Sequence, residues 1–143
     1  MTGNADGLRI LEKYSRIPSS FIRYVPDADA EIVRSVQNGV LFLVAFWSGP
    51  SLTAFSKLSE ILHQMNVDNL ELVVVDVDGS LDIYQLPEIR GLFGGVVNAP
   101  PGYGEVVYCQ DGQIVHAAII GSGDDTNQYR VNARKFLSLC LLR

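Results

Sequence analysis

The chain contains few of the residues that usually carry redox or metal chemistry. Of its 143 residues, only two are cysteines and two are histidines. Cys109 and Cys140 lie far apart, so the sequence has no Cys-x-x-Cys pair and no cysteine cluster with the spacing of a metal site. We therefore predict no bound metal and no cofactor. Isolated cysteines of this kind are typical of buried thiols in a reducing, cytoplasmic protein.

Long apolar runs are also absent. The amino-terminal segment has no apolar stretch of the kind found in secretory signals. No run elsewhere approaches the roughly 18 residues that a membrane-spanning helix needs. These absences predict a cytoplasmic protein with no membrane partner.

Basic residues are in the minority. The chain has 11 Lys and Arg against 16 Asp and Glu, which gives a net charge of −5. This balance disfavours nucleic acid as a partner, because phosphate binding needs clustered cations. Arg130, Arg134 and Lys135 come nearest to a basic cluster, and on a terminal helix we interpret them as a solvated face.

Apolar segments of helical and strand length alternate along the chain. With 48% hydrophobic residues, the sequence can build one buried core. Helices are predicted over 6–17, 27–36, 52–65, 80–90 and 126–142, and strands over 21–25, 40–46, 70–75, 106–109 and 113–120. The helix over 80–90 is expected to be interrupted at Pro87. Asp111-Gly112, between the last two strands, is a strong hairpin signal. The order αβαβαβαββα predicts an α/β sandwich with a mixed sheet and helices on both faces.

Residues 40–51 carry a more specific pattern, VLFLVAFWSGPS. This segment resembles the thioredoxin signature, an apolar strand followed by Trp-Cys-Gly-Pro-Cys. The strand at 72–78 and the hairpin at 105–112 resemble the same family, over roughly residues 20–142 in all. The resemblance implies a thioredoxin-like three-layer sandwich in a single domain, 1–143. Residues 1–19 would then be an extra helical extension, and 91–104 an inserted loop rich in glycine and proline.

The residues that perform catalysis in that family differ here. Ser48 and Ser51 stand at the positions of the two redox cysteines, and serine forms no disulfide. Their simpler role is structural, since Ser48 is a good helix N-cap. The family's buried aspartate corresponds to Ala45 or to Phe42, depending on the alignment, and neither carries a proton.

The family's cis-proline position is also altered. Counting back from the hairpin turn places Gly104 there. Pro100 or Pro101 would occupy the position if the loop shifted its register. A serine hydrolase is disfavoured as well, because neither histidine is predicted beside Ser51.

The resemblance implies a redox-inactive, thioredoxin-like protein that binds a protein or an extended peptide, as a scaffold, chaperone or assembly factor. The predicted partner-binding residues are Trp47, Ser48, Gly49, Pro50, Ser51, Phe93, Pro100, Pro101, Tyr103 and Gly104. One alternative is a thiol-disulfide oxidoreductase whose two cysteines have been replaced by serine in this sequence. Another is a small-ligand binder that uses the glycine-rich loop. The apolar residues at 137–142 indicate either a buried helix or a homodimer face.

Overall fold

A five-stranded mixed sheet forms the centre of the molecule. The computed structural model describes residues 2–66, 69–93, 101–123 and 125–141. The strands are β1 (Ile22–Val25), β2 (Asn38–Val44), β3 (Glu71–Asp76), β4 (Glu105–Gln110) and β5 (Gln113–Ile119). Their order is β1-β3-β2-β4-β5. The first three strands in this order are parallel, whereas β4 and β5 are antiparallel to their neighbours.

Helices cover both faces of the sheet. They are α1 (Gly7–Tyr14), α2 (Gly49–Met65), α3 (Leu81–Tyr84), α4 (Pro87–Arg90) and α5 (Thr126–Leu141). Apolar residues of α1, α2 and α5 pack on one face, and those of α3, α4 and a 3-10 turn at Ala30–Ser35 pack on the other. Among the described residues, β2 is buried on both faces from Gly39 onward, as expected for a central strand between two helical layers. The predicted three-layer sandwich is therefore confirmed.

The structure corrects one predicted helix and confirms the interruption of another. The helix predicted over 27–36 is a 3-10 turn of six residues. The side chains of Asp29 and Ser35 bond to backbone groups at its two ends, and such bonds compete with a longer helix. The helix predicted over 80–90 is divided at Pro87, because Leu86 before the proline is extended, with φ −61° and ψ 142°.

The turn and the loop that carry the predicted site residues lie at one edge of the sheet, which we call the motif edge. Here lie the carboxyl ends of β1, β3 and β2, the amino end of β4, the turn at 45–49 and the loop at 101–104. The amino-terminal segment also crosses this edge. The backbone N–H of Gly3 donates to the Asp27 carboxylate at 2.7 Å, and that of Asn4 donates to the Asp76 carboxylate at 2.8 Å. Of the loop predicted over 91–104, residues 94–100 lie outside the described part of the chain.

Candidate functional site

The turn that precedes α2 holds the first of the two serines. Ser48 is the N-cap of α2, and its Oγ accepts a hydrogen bond from the Ser51 N–H at 3.3 Å. The same hydroxyl donates to the carbonyl oxygen of Gly102 at 2.6 Å. Its side chain is buried, with 8% of the residue exposed. Ser48 thus links the loop at 101–104 to the start of α2 by a hydrogen bond.

The second serine is fully buried beneath the turn. The Oγ of Ser51 accepts a hydrogen bond from the backbone N–H of Ala45 at 2.9 Å. This bond supplies an acceptor for an amide just beyond the end of β2, where sheet pairing has stopped. Both serine hydroxyls therefore make hydrogen bonds to the backbone, within a turn that they help to close.

The loop facing the turn is shaped by glycine. Gly104 has φ +75°, a backbone conformation that proline cannot adopt. A Cβ atom at this position would lie 2.5 Å from the Cβ of Ala54. Gly104 therefore occupies a tight, left-handed position where the resemblance implies a proline. Pro101, three residues earlier in the chain, is half-buried, whereas Pro100 lies outside the described residues.

The carboxylate of Glu105 is buried and bonds to the backbone of this loop. Glu105 is fully buried, and its two oxygens accept hydrogen bonds from the N–H groups of Gly102, at 3.3 Å, and Tyr103, at 3.0 Å. Burial raises the pKa of Glu105, and the backbone hydrogen bonds only partly oppose that rise. Burial also raises the pKa of Tyr84 to about 12, with a smaller contribution from the nearby charge of Glu105.

Two aromatic side chains are exposed at the motif edge. Trp47 is 61% exposed and Tyr103 is 44% exposed. Gly49 and Pro50, between the two serines, are exposed as well. A Cβ atom on Gly102 would lie 3.2 Å from the Trp47 ring, so the indole and the loop are adjacent. The predicted surface is thus assembled in part, while the side chain of Phe93 is not described.

The interior behind the turn is apolar at both positions proposed for the family's aspartate. Ala45 and Phe42 are completely buried. One buried acid, Asp76, lies at the end of β3, and its carboxylate accepts hydrogen bonds from the N–H groups of Asn4 and Asp78. Burial raises its pKa. The burial of Asp76 and Glu105 is not predicted from the sequence, although each adjoins an apolar strand.

The cysteines and histidines form no reactive group with the serines in the described structure. Cys109 lies in the core on one side of the sheet and Cys140 in the core on the other. Both are free thiols, and burial raises the pKa of each to about 12. His116 packs between the rings of Tyr108 and Phe136, with Cys140 Sγ 3.7 Å from its Nε2.

Three further observations concern ligands and membranes. In the described ranges, no group of three or more His, Cys, Asp or Glu residues is arranged to hold a metal ion. None of the helices in these ranges has the length and hydropathy that crossing a bilayer requires. A groove of about 770 Å³ opens beside Leu62, His63 and Leu70, where α2 ends and β3 begins.

Known proteins resemble this chain in structure rather than in sequence. No family model matches the sequence, and no curated protein matches it. Among solved structures, a chain from work on the thiol resolving mechanism in yeast mitochondrial 1-Cys peroxiredoxin is 20% identical, with a TM-score of 0.51 over 80% of this chain and 94% of that one. Malassezia sympodialis thioredoxin is 18% identical, with a TM-score of 0.50 over 80% and 90%. Plasmodium falciparum thioredoxin is 14% identical, with a TM-score of 0.50 over 80% and 98%. Together with the strand order and the helical layers, these matches show that the chain has a thioredoxin-like fold.

Proposed function

We propose that this protein is a non-catalytic, thioredoxin-like binding protein that takes a protein or extended peptide partner at the motif edge. The observation that carries the proposal is the use of both serine hydroxyls. Ser48 bonds to Gly102 and Ser51 bonds to Ala45, at the two positions where a thioredoxin has its redox cysteines. An oxidoreductase needs sulfur there, because disulfide exchange proceeds by attack of a thiolate.

The exposed aromatic residues support a binding role for the same edge. Aromatic side chains bury a large apolar area when a partner covers them, and they are enriched at interfaces. Trp47 precedes Ser48 and Tyr103 follows Gly102, so both exposed aromatic residues adjoin the buried Ser48–Gly102 hydrogen bond along the chain. The hydrogen bonds beneath them hold the surface in one shape, which lowers the entropy lost on binding.

The experiment starts from a library of extended peptides selected against the immobilised protein in reducing buffer. Selected peptides are labelled and titrated by fluorescence anisotropy. We expect Trp47→Ala to weaken binding at least about tenfold, since an aromatic residue at the centre of an interface contributes roughly 2 kcal/mol or more. The matched control is Phe21→Ala, which removes an aromatic side chain that is 68% exposed, adjacent to the start of β1 rather than at the motif edge.

Two results would contradict the proposal. One is a set of peptides that bind Trp47→Ala and the original protein equally well. The other is capture that appears only without reductant and disappears when Cys109 and Cys140 are changed to alanine.

The oxidoreductase alternative is tested separately, by measuring insulin reduction by a Ser48→Cys, Ser51→Cys variant. Thioredoxin-like turnover by that variant would favour the alternative, whereas background turnover is expected.

A further inference from the structure

A cluster of cations lies on the helical face formed by α2 and α5. The Glu60 carboxylate accepts a hydrogen bond from Arg130 Nε at 2.6 Å and lies 3.8 Å from Lys57 Nζ. The positive charge of Arg16, which follows α1, also interacts electrostatically with the Glu60 carboxylate. These cations together lower the pKa of Glu60, with the Arg130 hydrogen bond the largest cause. Three positive charges from three parts of the chain therefore converge on one negative charge.

The cluster continues along the exposed side of α5. Arg134 donates to the Gln64 side chain at 3.0 Å, and Arg134 and Lys135 are both exposed. Val131 lies one helical turn before them and is 58% exposed. These side chains line a shallow concavity of about 490 Å³, and its full lining is Asn127, Arg130, Val131, Arg134, Lys135 and Ser138. We call these six residues the α5 stripe.

The composition of the α5 stripe favours an acidic partner with an apolar contact. Its cations attract carboxylates, and Val131 offers apolar surface between them. Nucleic acid fits less well, because the stripe has no aromatic side chain on which a base could stack. The whole chain carries a net charge of −5, which repels a long polyanion more than a short acidic segment.

We propose that the α5 stripe is a docking surface for an acidic amphipathic segment of a partner protein. Such a segment would place carboxylates against Arg134 and Lys135 and an apolar side chain against Val131. Charge complementarity would set the orientation and the rate of association, and the apolar contact would slow dissociation. This surface is separate from the motif edge and does not depend on the proposed function of that edge.

The probe is a labelled synthetic helical peptide of about four turns, with glutamates on both flanks of a leucine stripe. Its lysine counterpart is the control peptide. We expect Arg134→Gln, Lys135→Gln to weaken binding of the acidic peptide about tenfold by fluorescence anisotropy. The matched control variant is Arg23→Gln, Arg34→Gln. It also loses two positive charges, but in or near β1, and we expect it to bind the acidic peptide as well as the original protein does. Val131→Asn is a further variant, expected to weaken binding without changing its salt dependence.

The remaining outcomes would overturn the proposal. They are equal binding of the lysine peptide, no binding of the acidic peptide, and unchanged binding by the Arg134→Gln, Lys135→Gln variant. Tighter binding of a DNA duplex or of phosphatidylserine vesicles would assign the stripe to those ligands instead. A dimer lost in the double variant, without peptide binding, would assign it to a second copy of the chain. Trp47→Ala should bind the acidic peptide normally, so failure at the motif edge is distinguishable.

Discussion

Ser48 donates a hydrogen bond from its hydroxyl to the carbonyl oxygen of Gly102, 2.6 Å away in space and 54 positions along the chain. This bond joins the start of α2 to the loop that leads into β4. It lies where the thioredoxin resemblance implies a reactive thiol. The position thus has a structural role in this chain, and that role can be measured through stability.

Ser48→Ala should reduce the free energy of unfolding by about 2 kcal/mol. The substitution removes the cap of α2 and leaves the carbonyl of Gly102 without its donor. Urea denaturation measures the change, with an unchanged m-value expected. Ser138→Ala, at an exposed position of α5, is the control and should be neutral or slightly stabilising. Equal stability of the two variants would contradict the structural role of Ser48.

Ser51→Ala should lower the stability of the protein and also expose the Ala45 amide to faster hydrogen exchange. Without the hydroxyl, the buried N–H of Ala45 loses its acceptor, at a cost of about 1–3 kcal/mol. We expect faster hydrogen exchange at the Ala45 amide, measured by NMR, together with a lower denaturation midpoint. Unchanged protection of that amide would show that the Ser51 hydroxyl is not its partner in solution.

Glu105→Gln should change how stability depends on pH. Because burial raises the pKa of Glu105 in the folded state, the folded protein holds this proton more tightly than the unfolded chain does. That contribution to stability is fully present below the ordinary glutamate pKa of 4.5 and is lost as pH rises through the higher folded value. Glutamine keeps an acceptor for Tyr103 without the charge, so the variant should gain stability relative to the original protein over this interval.

The pH prediction is checked by denaturation of both proteins from pH 4 upward. Asp76, whose pKa burial also raises, is present in both, so its contribution cancels in the difference. Parallel pH profiles would contradict the prediction, since they would mean that Glu105 titrates alike in the folded and unfolded states.

Gly104→Ala should be strongly destabilising, by about 2–4 kcal/mol. The new Cβ would lie 2.5 Å from that of Ala54, and alanine is unfavourable at φ +75°. Gly104→Pro, which restores the residue implied by the family, should be worse still. The control is Gly91→Ala, where a Cβ would meet no atom within 4 Å and stability should be unchanged or slightly higher. Thermal unfolding of the three variants measures the difference.

Much of the fold could be predicted from the sequence because its signals are local. Asp111 and Gly112 have φ values of 54° and 77°, as a tight hairpin turn requires. Ser48, as the N-cap, and Pro50, in the first turn, mark the start of α2 locally.

Other features depend on tertiary contacts and could not be predicted. The burial of Glu105 depends on the position of the loop at 101–104 relative to the start of β4. The placement of Cys109 and Cys140 on opposite sides of the sheet depends on which face α5 covers. For the same reason, the sequence indicates only the part of the cation cluster that lies on α5. Arg16 and Lys57 are remote in sequence from Arg130, and only packing brings their charges to Glu60.

The amino-terminal segment has a practical consequence for the peptide selection at the motif edge. Gly3 and Asn4 are bonded to carboxylates at the motif edge, two and one strands away from β2. With strands about 4.8 Å apart, an affinity tag placed ahead of them would emerge roughly 10 Å from the line of the β2 strand. Such a tag could cover the surface under test. For that selection, bait protein should therefore be immobilised through the end of α5 rather than through the amino terminus.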